Sequence, residues 1–335
     1  MSTGISESVI TLPDILAEWP WKRNLNPLSH LQTEAESTAW TQSFVVFTPR
    51  LQQALELGDH HLLSSLAYPL ENKDVFRVGC DLMNLFFFLD GCTDIASSQE
   101  VKQMSTIVLD ALCNPDKARP ESECFIGEAT RQFWELSSRC ASKGARRRFI
   151  EGLYKFTTAV VDQAHDRDKN YIKNVDEYFL VRRNTIGAMP AFAVLEFSLN
   201  LPDEVFEDPV IQKLTNICVD LIILSNDIYS YNVEQARGDA NHNLVTILMH
   251  HKNLSLAETM KWIGDYASKI VSEFLDDLNH VPSFGEGVES DLERYLYGIA
   301  NWVRANDCWS FECRRYFKTN GLQIQQTRKV DLLPR

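Results

Sequence analysis

The sequence has no Cys-x-x-Cys pair, no apolar run long enough to cross a membrane and no segment of sustained apolar–polar alternation. Its eight cysteines stand at 80, 92, 113, 124, 140, 218, 308 and 313. Several lie in apolar helical runs, so they read as reduced, small core residues of a cytoplasmic protein. The short apolar runs exclude a membrane-spanning helix. The N-terminal MSTGISESVI has no basic-plus-apolar signal pattern. Basic residues are also scarce: 33 Lys and Arg face 46 Asp and Glu, a net charge of −13. That balance excludes nucleic acid and an anionic membrane surface as partners. A polyanionic ligand would need local basic groups or metal ions to hold it. Internal repeats and low-complexity linkers are missing as well, which argues for one domain.

What is present is helix. The 335 residues are 44% hydrophobic, enough to bury a large core. From about residue 31 the apolar period is helical. It predicts helices over 31–46, 49–57, 60–66, 74–92, 98–113, 126–141, 143–168, 174–184, 187–199, 208–237, 243–251, 255–279 and 288–306. Between them stand breakers such as Asn114-Pro115-Asp116, Asn200-Leu201-Pro202-Asp203 and Pro282-Ser283-Phe284-Gly285. Asp203 and Ser255 are expected N-caps. Residues 1–30, punctuated by Pro13, Pro20 and Pro27 around Trp19 and Trp21, read as a strap across the body, and 318–335 as a tail. The expectation is an all-α, single-domain bundle.

Two helices carry chemistry. In 219–237, VDLIILSNDIYSYNVEQAR, the residues Asn226, Ser230 and Glu234 are spaced four apart and share a face, continuing a stripe of Val219, Ile222 and Ile223. Amide, hydroxyl and carboxylate are hard oxygen donors of the kind Mg²⁺ takes. The alternative is a buried helix that turns polar as it leaves the core, with Asp227 and Glu234 in solvent. In 81–94, DLMNLFFFLDGCTD, the residues Asp90 and Asp94 follow an apolar run, with Met83, Phe86 and Phe87 on the face below Asp90. Here the alternative is a core helix with an acidic end, which its dipole disfavours. Facing each other, two such helices make an apolar pocket with a metal-binding rim.

Together these motifs resemble the class I terpene synthases, in particular the sesquiterpene synthases of fungi. The resemblance runs from LPDILAEWPWKRNLNP (12–27) to the RRYF of 314–317. It implies a helical bundle around an apolar central cavity, farnesyl diphosphate as substrate and three Mg²⁺ ions. Asp90 matches the first residue of the family's aspartate-rich motif, with Asp94 a weaker candidate. Asn226, Ser230 and Glu234 match the ligands of its second motif. Arg183 matches the arginine that senses diphosphate ahead of a helix break, which Gly187 and Pro190 signal independently. Gly187 matches the residue whose backbone oxygen faces substrate. Arg315 and Tyr316 match a diphosphate-binding Arg-Tyr pair, and Phe86, Phe87 and Met83 are expected in the cavity wall.

Two positions depart from the family pattern. Gly91 replaces the usual acidic second residue of the first motif, and Val233 stands where a lysine often precedes the glutamate of the second. Arg146, Arg147 and Arg148 are expected on a solvated face. His60-His61 and His250-His251 are discounted as ligands because helical neighbours do not share a face. Alternative functions are a prenyltransferase, a synthase of monoterpenes or linear terpene alcohols, and a non-catalytic helical binding protein. A monomer and a homodimer are both compatible with the sequence.

Overall fold

A computed structural model describes residues 9–27, 31–44 and 49–334; residues 45 and 46, expected as the end of a helix, residues 1–8 and 28–30 of the expected strap, and residue 335 of the expected tail lie outside them. Among the described residues there are fifteen α-helices. The first seven are α1 (Leu31–Gln42), α2 (Pro49–Gly58), α3 (His60–Ala67), α4 (Lys73–Thr93), α5 (Ser98–Cys113), α6 (Ile126–Ser137) and α7 (Lys143–Asp168). The others are α8 (Val175–Thr185), α9 (Ala188–Leu195), α10 (Asp203–Glu207), α11 (Pro209–Arg237), α12 (Leu244–Lys252), α13 (Leu256–Asp277), α14 (Glu289–Glu312) and α15 (Gly321–Thr327).

Local chemistry starts and stops the helices that matter. Asn72 caps α4 by accepting from the backbone of Asp74 and Val75. Capping boxes open α8 (Asn174 with Glu177) and α13 (Ser255 with Glu258). Asp208 caps α11, Pro209 takes the first helical position, and Gly238 ends the helix at φ 78°. The expected cap Asp203 lies instead in the first turn of α10 and accepts from Arg147 and Arg148. The expected single helix over 208–237 is preceded by the separate α10, and the one over 187–199 ends as a 3₁₀ turn at Glu196–Ser198.

One apolar core joins the helices. Leu82, Leu85 and Phe88 of α4, Leu221, Ile223 and Leu224 of α11 and Ile299 of α14 are completely buried. α11 and α14 are also cross-linked by polar bonds. Tyr229 Oη donates to Asp307 Oδ1 at 2.6 Å, and Asn306 Nδ2 donates to Ser225 Oγ at 2.7 Å.

The N-terminal strap is anchored on the body. Trp19 Nε1 donates to Ala300 O at 3.1 Å, and its ring packs 4.6 Å from that of Phe274. Arg304 donates to the carbonyls of Leu16, Trp19 and Trp21. The strap then does what no helix period indicated: β1 (Val9–Thr11) pairs antiparallel with β2 (Lys329–Asp331), tying strap to tail. All eight cysteines are free thiols; Cys80, Cys218, Cys308 and Cys313 are buried as expected, whereas Cys92, Cys124 and Cys140 are half-buried and Cys113 is exposed. The arginine run is also not a uniformly solvated face. Arg148 pairs with Glu196 and Asp203 and lies 3.9 Å from the Phe206 ring centroid. No helix among the described residues is long and apolar enough to cross a membrane.

Candidate active site

The second motif occupies the C-terminal half of α11. Ser230 is buried, and Asn226 and Glu234 are half-buried. Asn226 is held at both ends of its amide. Its Oδ1 accepts from Arg182 Nη2 at 2.7 Å, and its Nδ2 donates to Tyr316 Oη at 3.1 Å. One side chain thus connects α11, α8 and the segment after α14. Glu234 Oε2 accepts from Asn243 Nδ2 at 2.9 Å. Asp227 is not in solvent. It accepts from Tyr178 Oη, from Leu244 N at 2.7 Å and from Arg182 Nη2 at 3.3 Å.

The first motif faces this group. Asp90, in the last turn of α4, is half-buried and within electrostatic reach of Arg315 and Arg182. Burial, reinforced by the Asp94 carboxylate, pushes its carboxyl up to about 7 against the pull of those two arginines. Burial, with Asp227 beside it, likewise pushes Glu234 up to about 7, against hydrogen bonds from Ser230 and Asn243. Both carboxyls are thus desolvated, and the nearby arginines offset that only in part. Asp94 is exposed at the C-cap of α4.

Arg315 lies 4.7 Å from the centroid of the Phe87 ring, which stacks on His60 at 3.6 Å. His60 Nδ1 pairs with Asn84 Oδ1 at 3.0 Å, and burial pushes its imidazole down to about 3. A neutral ring beneath Phe87 adds no charge to repel Arg315. Phe86 turns to Phe156, 5.2 Å away between centroids, and to Gly187. Gly187 caps α9 at φ 74°, where a β-carbon would sit 3.3 Å from Phe86 Cζ. Its oxygen accepts from Ala191 N at 3.3 Å, so the carbonyl expected to face substrate is bonded into α9. Pro190 sits in the first turn of α9, where its missing N–H breaks no helical bond. Met83 is buried in the core.

One expected residue is elsewhere. Arg183 grips Asp220 with bonds of 2.7 and 2.8 Å, on an open groove that Lys213, Tyr266 and Glu273 also line. Its neighbour Arg182 occupies the place expected of it, within electrostatic reach of Asp227, Glu234 and Asp90. Adjacent helical side chains diverge by about 100°, so only one of the two can face the motif.

The family described as terpene synthase family 2, C-terminal metal binding, matches residues 81–273, a span that contains both motifs. A Δ6-protoilludene synthase of Stereum hirsutum is 47% identical over 98% of this chain and 89% of its own length. Sesquiterpene synthase 14 of Postia placenta is 46% identical over 98% of this chain and 93% of its own. The chain belongs to the terpene synthase family. Its homologues are sesquiterpene synthases of fungi, and the enzyme shares their all-α fold and metal-binding region. Solved structures agree on the fold. Germacradien-4-ol synthase from Streptomyces citricolor superposes with a TM-score of 0.74 at 20% identity, covering 87% of this chain and 96% of that one. An a-eudesmol synthase gives 0.78 at 18% identity, covering 88% and 97%.

Spacing proposed Asn226, Ser230 and Glu234, and the resemblance singled out Asp90; the structure puts Asp90 within electrostatic reach of Arg182, which bonds Asn226. Spacing missed Arg182, Tyr178, Asp227 and Asn243 as parts of the site. The one available signal was the repeated polar character of 226, 227 and 230 on a buried helix; nothing local marks Asn243.

Proposed function

We propose that this synthase ionises farnesyl diphosphate and cyclises the allylic cation to a sesquiterpene hydrocarbon. Δ6-protoilludene is the proposed product, as in the names of relatives 43–47% identical to this chain. The observation that carries this reading is Asn226, bonded at once to Arg182 and Tyr316. It joins a row of oxygen donors to groups suited to an anion.

The donor set fits Mg²⁺. Asn226, Ser230, Glu234 and Asp90 offer hard oxygens, and burial, with a second carboxylate beside each, pushes the two carboxyls up to about 7. None of the four donors is a thiolate or an imidazole, so a soft metal is a poorer match. These four residues would hold the ions, three in number by the family resemblance. Bound metal supplies positive charge for the departing diphosphate.

The chain's own groups do the rest. Arg182 takes the part that the resemblance gave to Arg183, and Arg315 offers a planar fork for phosphate oxygens, with the Tyr316 hydroxyl beside it. As the allylic C–O bond breaks, its electron pair leaves with the diphosphate, where these donors stabilise it. Phe86, Phe87 and Met83 are the proposed apolar side of the pocket, where water is excluded from the cation until a proton is lost. Gly187, lacking a β-carbon, leaves room for Phe86 in that wall. Gly91 and Val233 remove charge from the rim and bear on product identity and metal affinity more than on reaction class.

The test is incubation of the purified chain with farnesyl diphosphate and Mg²⁺, followed by gas chromatography–mass spectrometry. A cyclic hydrocarbon with stoichiometric diphosphate release, both lost in excess EDTA, is expected. Chain elongation with added isopentenyl diphosphate would identify a prenyltransferase instead. Unconsumed substrate at every metal concentration would leave a binding protein.

A further inference from the structure

Asn243 lies outside both motifs, yet it touches more of the second one than any other residue in the described hydrogen-bond network. The chain leaves α11 at Gly238, makes a 3₁₀ turn over Ala240–His242 and returns beneath α11 to start α12. At that start Asn243 Oδ1 accepts from Val245 N at 2.9 Å, a normal N-cap. The backbone donor fixes the amide orientation, because only the oxygen can accept there. Nδ2 must then face α11. It meets Glu234 Oε2 at 2.9 Å, Asp227 O at 2.9 Å and Ser230 Oγ at 3.3 Å.

Those contacts leave the right atoms free. Ser230 Oγ receives the amide on one lone pair and hydrogen-bonds to Glu234, which keeps its second lone pair for a cation. Glu234 uses Oε2 for the amide, so the amide itself does not occupy Oε1. Asn243 is itself only 1% exposed and sits on a different element from its targets, so its position is set by packing. Asp227 reinforces it from the other side by accepting from Leu244 N at 2.7 Å. Two consecutive residues at the start of α12 therefore donate to the face of α11 that carries Ser230 and Glu234.

We infer that Asn243 is a positioning residue: its amide pre-orients Ser230 and Glu234 for a divalent cation and so sets how much cation the synthase needs. The inference rests on the proposed ligand set and deepens it. Partners that orient metal ligands in this way are worth about 10–100-fold in metal affinity or activity.

Two substitutions separate this role from capping. Asn243→Ser keeps an N-cap oxygen but is too short to reach Glu234, whereas Asn243→Ala loses both functions. Each is compared with wild type and Glu234→Gln for Tm, for the Mg²⁺ concentration at half-maximal turnover, and for Mn²⁺ binding by electron paramagnetic resonance with inorganic diphosphate present. Both Asn243 variants are expected to raise the Mg²⁺ midpoint and weaken Mn²⁺ binding about tenfold. Asn243→Ala should lose more Tm than Asn243→Ser, which keeps the cap, and excess Mg²⁺ should restore most of kcat in Asn243→Ser. A wild-type cation midpoint in Asn243→Ser, beside a shifted Glu234→Gln, would overturn the positioning role while sparing the ligand assignment. An unshifted Glu234→Gln would overturn the ligand assignment and the positioning role together.

Discussion

Arg182 donates to Asn226 Oδ1 at 2.7 Å. That oxygen is the atom the amide would offer a metal ion, and a guanidinium holds it. The next residue, Arg183, is turned away onto Asp220.

Arg182→Gln should therefore lower kcat/KM about a hundredfold or more, the usual effect of removing one donor aimed at developing negative charge. Arg183→Gln should leave kcat/KM within a few-fold. It should cost about 1–3 kcal/mol of stability, because the buried Asp220 loses its partner. Steady-state kinetics with farnesyl diphosphate and urea unfolding check the pair; a larger kinetic loss at Arg183 would return the anion-binding role to it.

Asp90→Asn should be far more damaging than Asp94→Asn. Asp90 is half-buried and within reach of Arg182 and Arg315, whereas Asp94 is exposed at the helix end. kcat/KM measured across a series of Mg²⁺ concentrations decides this. Equal losses would make Asp94 a ligand of the same rank.

Metal-free stability should fall as pH rises toward neutrality. Asp90 and Glu234 are both raised to about 7 in the folded chain. Between their unfolded values, near 4, and about 7 the folded state therefore binds more protons than the unfolded state, and the slope of stability with pH is negative. Their contribution is fully present below pH ~4 and is lost as pH passes ~7. Urea midpoints at pH 5 and 7.5 in EDTA should show a smaller drop for Asp90→Asn than for wild type. An identical drop would remove Asp90 from the account.

Gly187→Ala should destabilise the fold and alter the product mixture. At φ 74° an alanine costs about 1–2 kcal/mol, and its β-carbon would press on Phe86 from 3.3 Å. Thermal unfolding reads the first effect, and gas chromatography of the hydrocarbons reads the second. A lower Tm with an unchanged product ratio would mean that Phe86 does not shape the reacting chain.

What residue order determined by itself was local. The Ser255 cap, the breaks around Pro115 and Pro202, and the four-residue spacing of Asn226, Ser230 and Glu234 all follow from short-range rules, and each has its counterpart in the folded chain. Helical period also placed Asp90 above an apolar face.

Tertiary structure decided everything that depended on which face meets which neighbour. Arg182 and Arg183 are equivalent in sequence. The rotation of α8 against α11 sends one to Asn226 and the other to Asp220. Asp227 could have been solvent-exposed, but the start of α12 and Tyr178 close over it. Arg148 lies in a charge run, but Glu196, Asp203 and Phe206 enclose it. The pairing of Val9–Thr11 with Lys329–Asp331 leaves no alternation to detect, since each strand has three residues and its partner lies at the other end of the chain. Spacing along a helix is a local property of the backbone, whereas the partner of a side chain depends on how distant helices pack. Asn243 reaches its ligand set only through that packing.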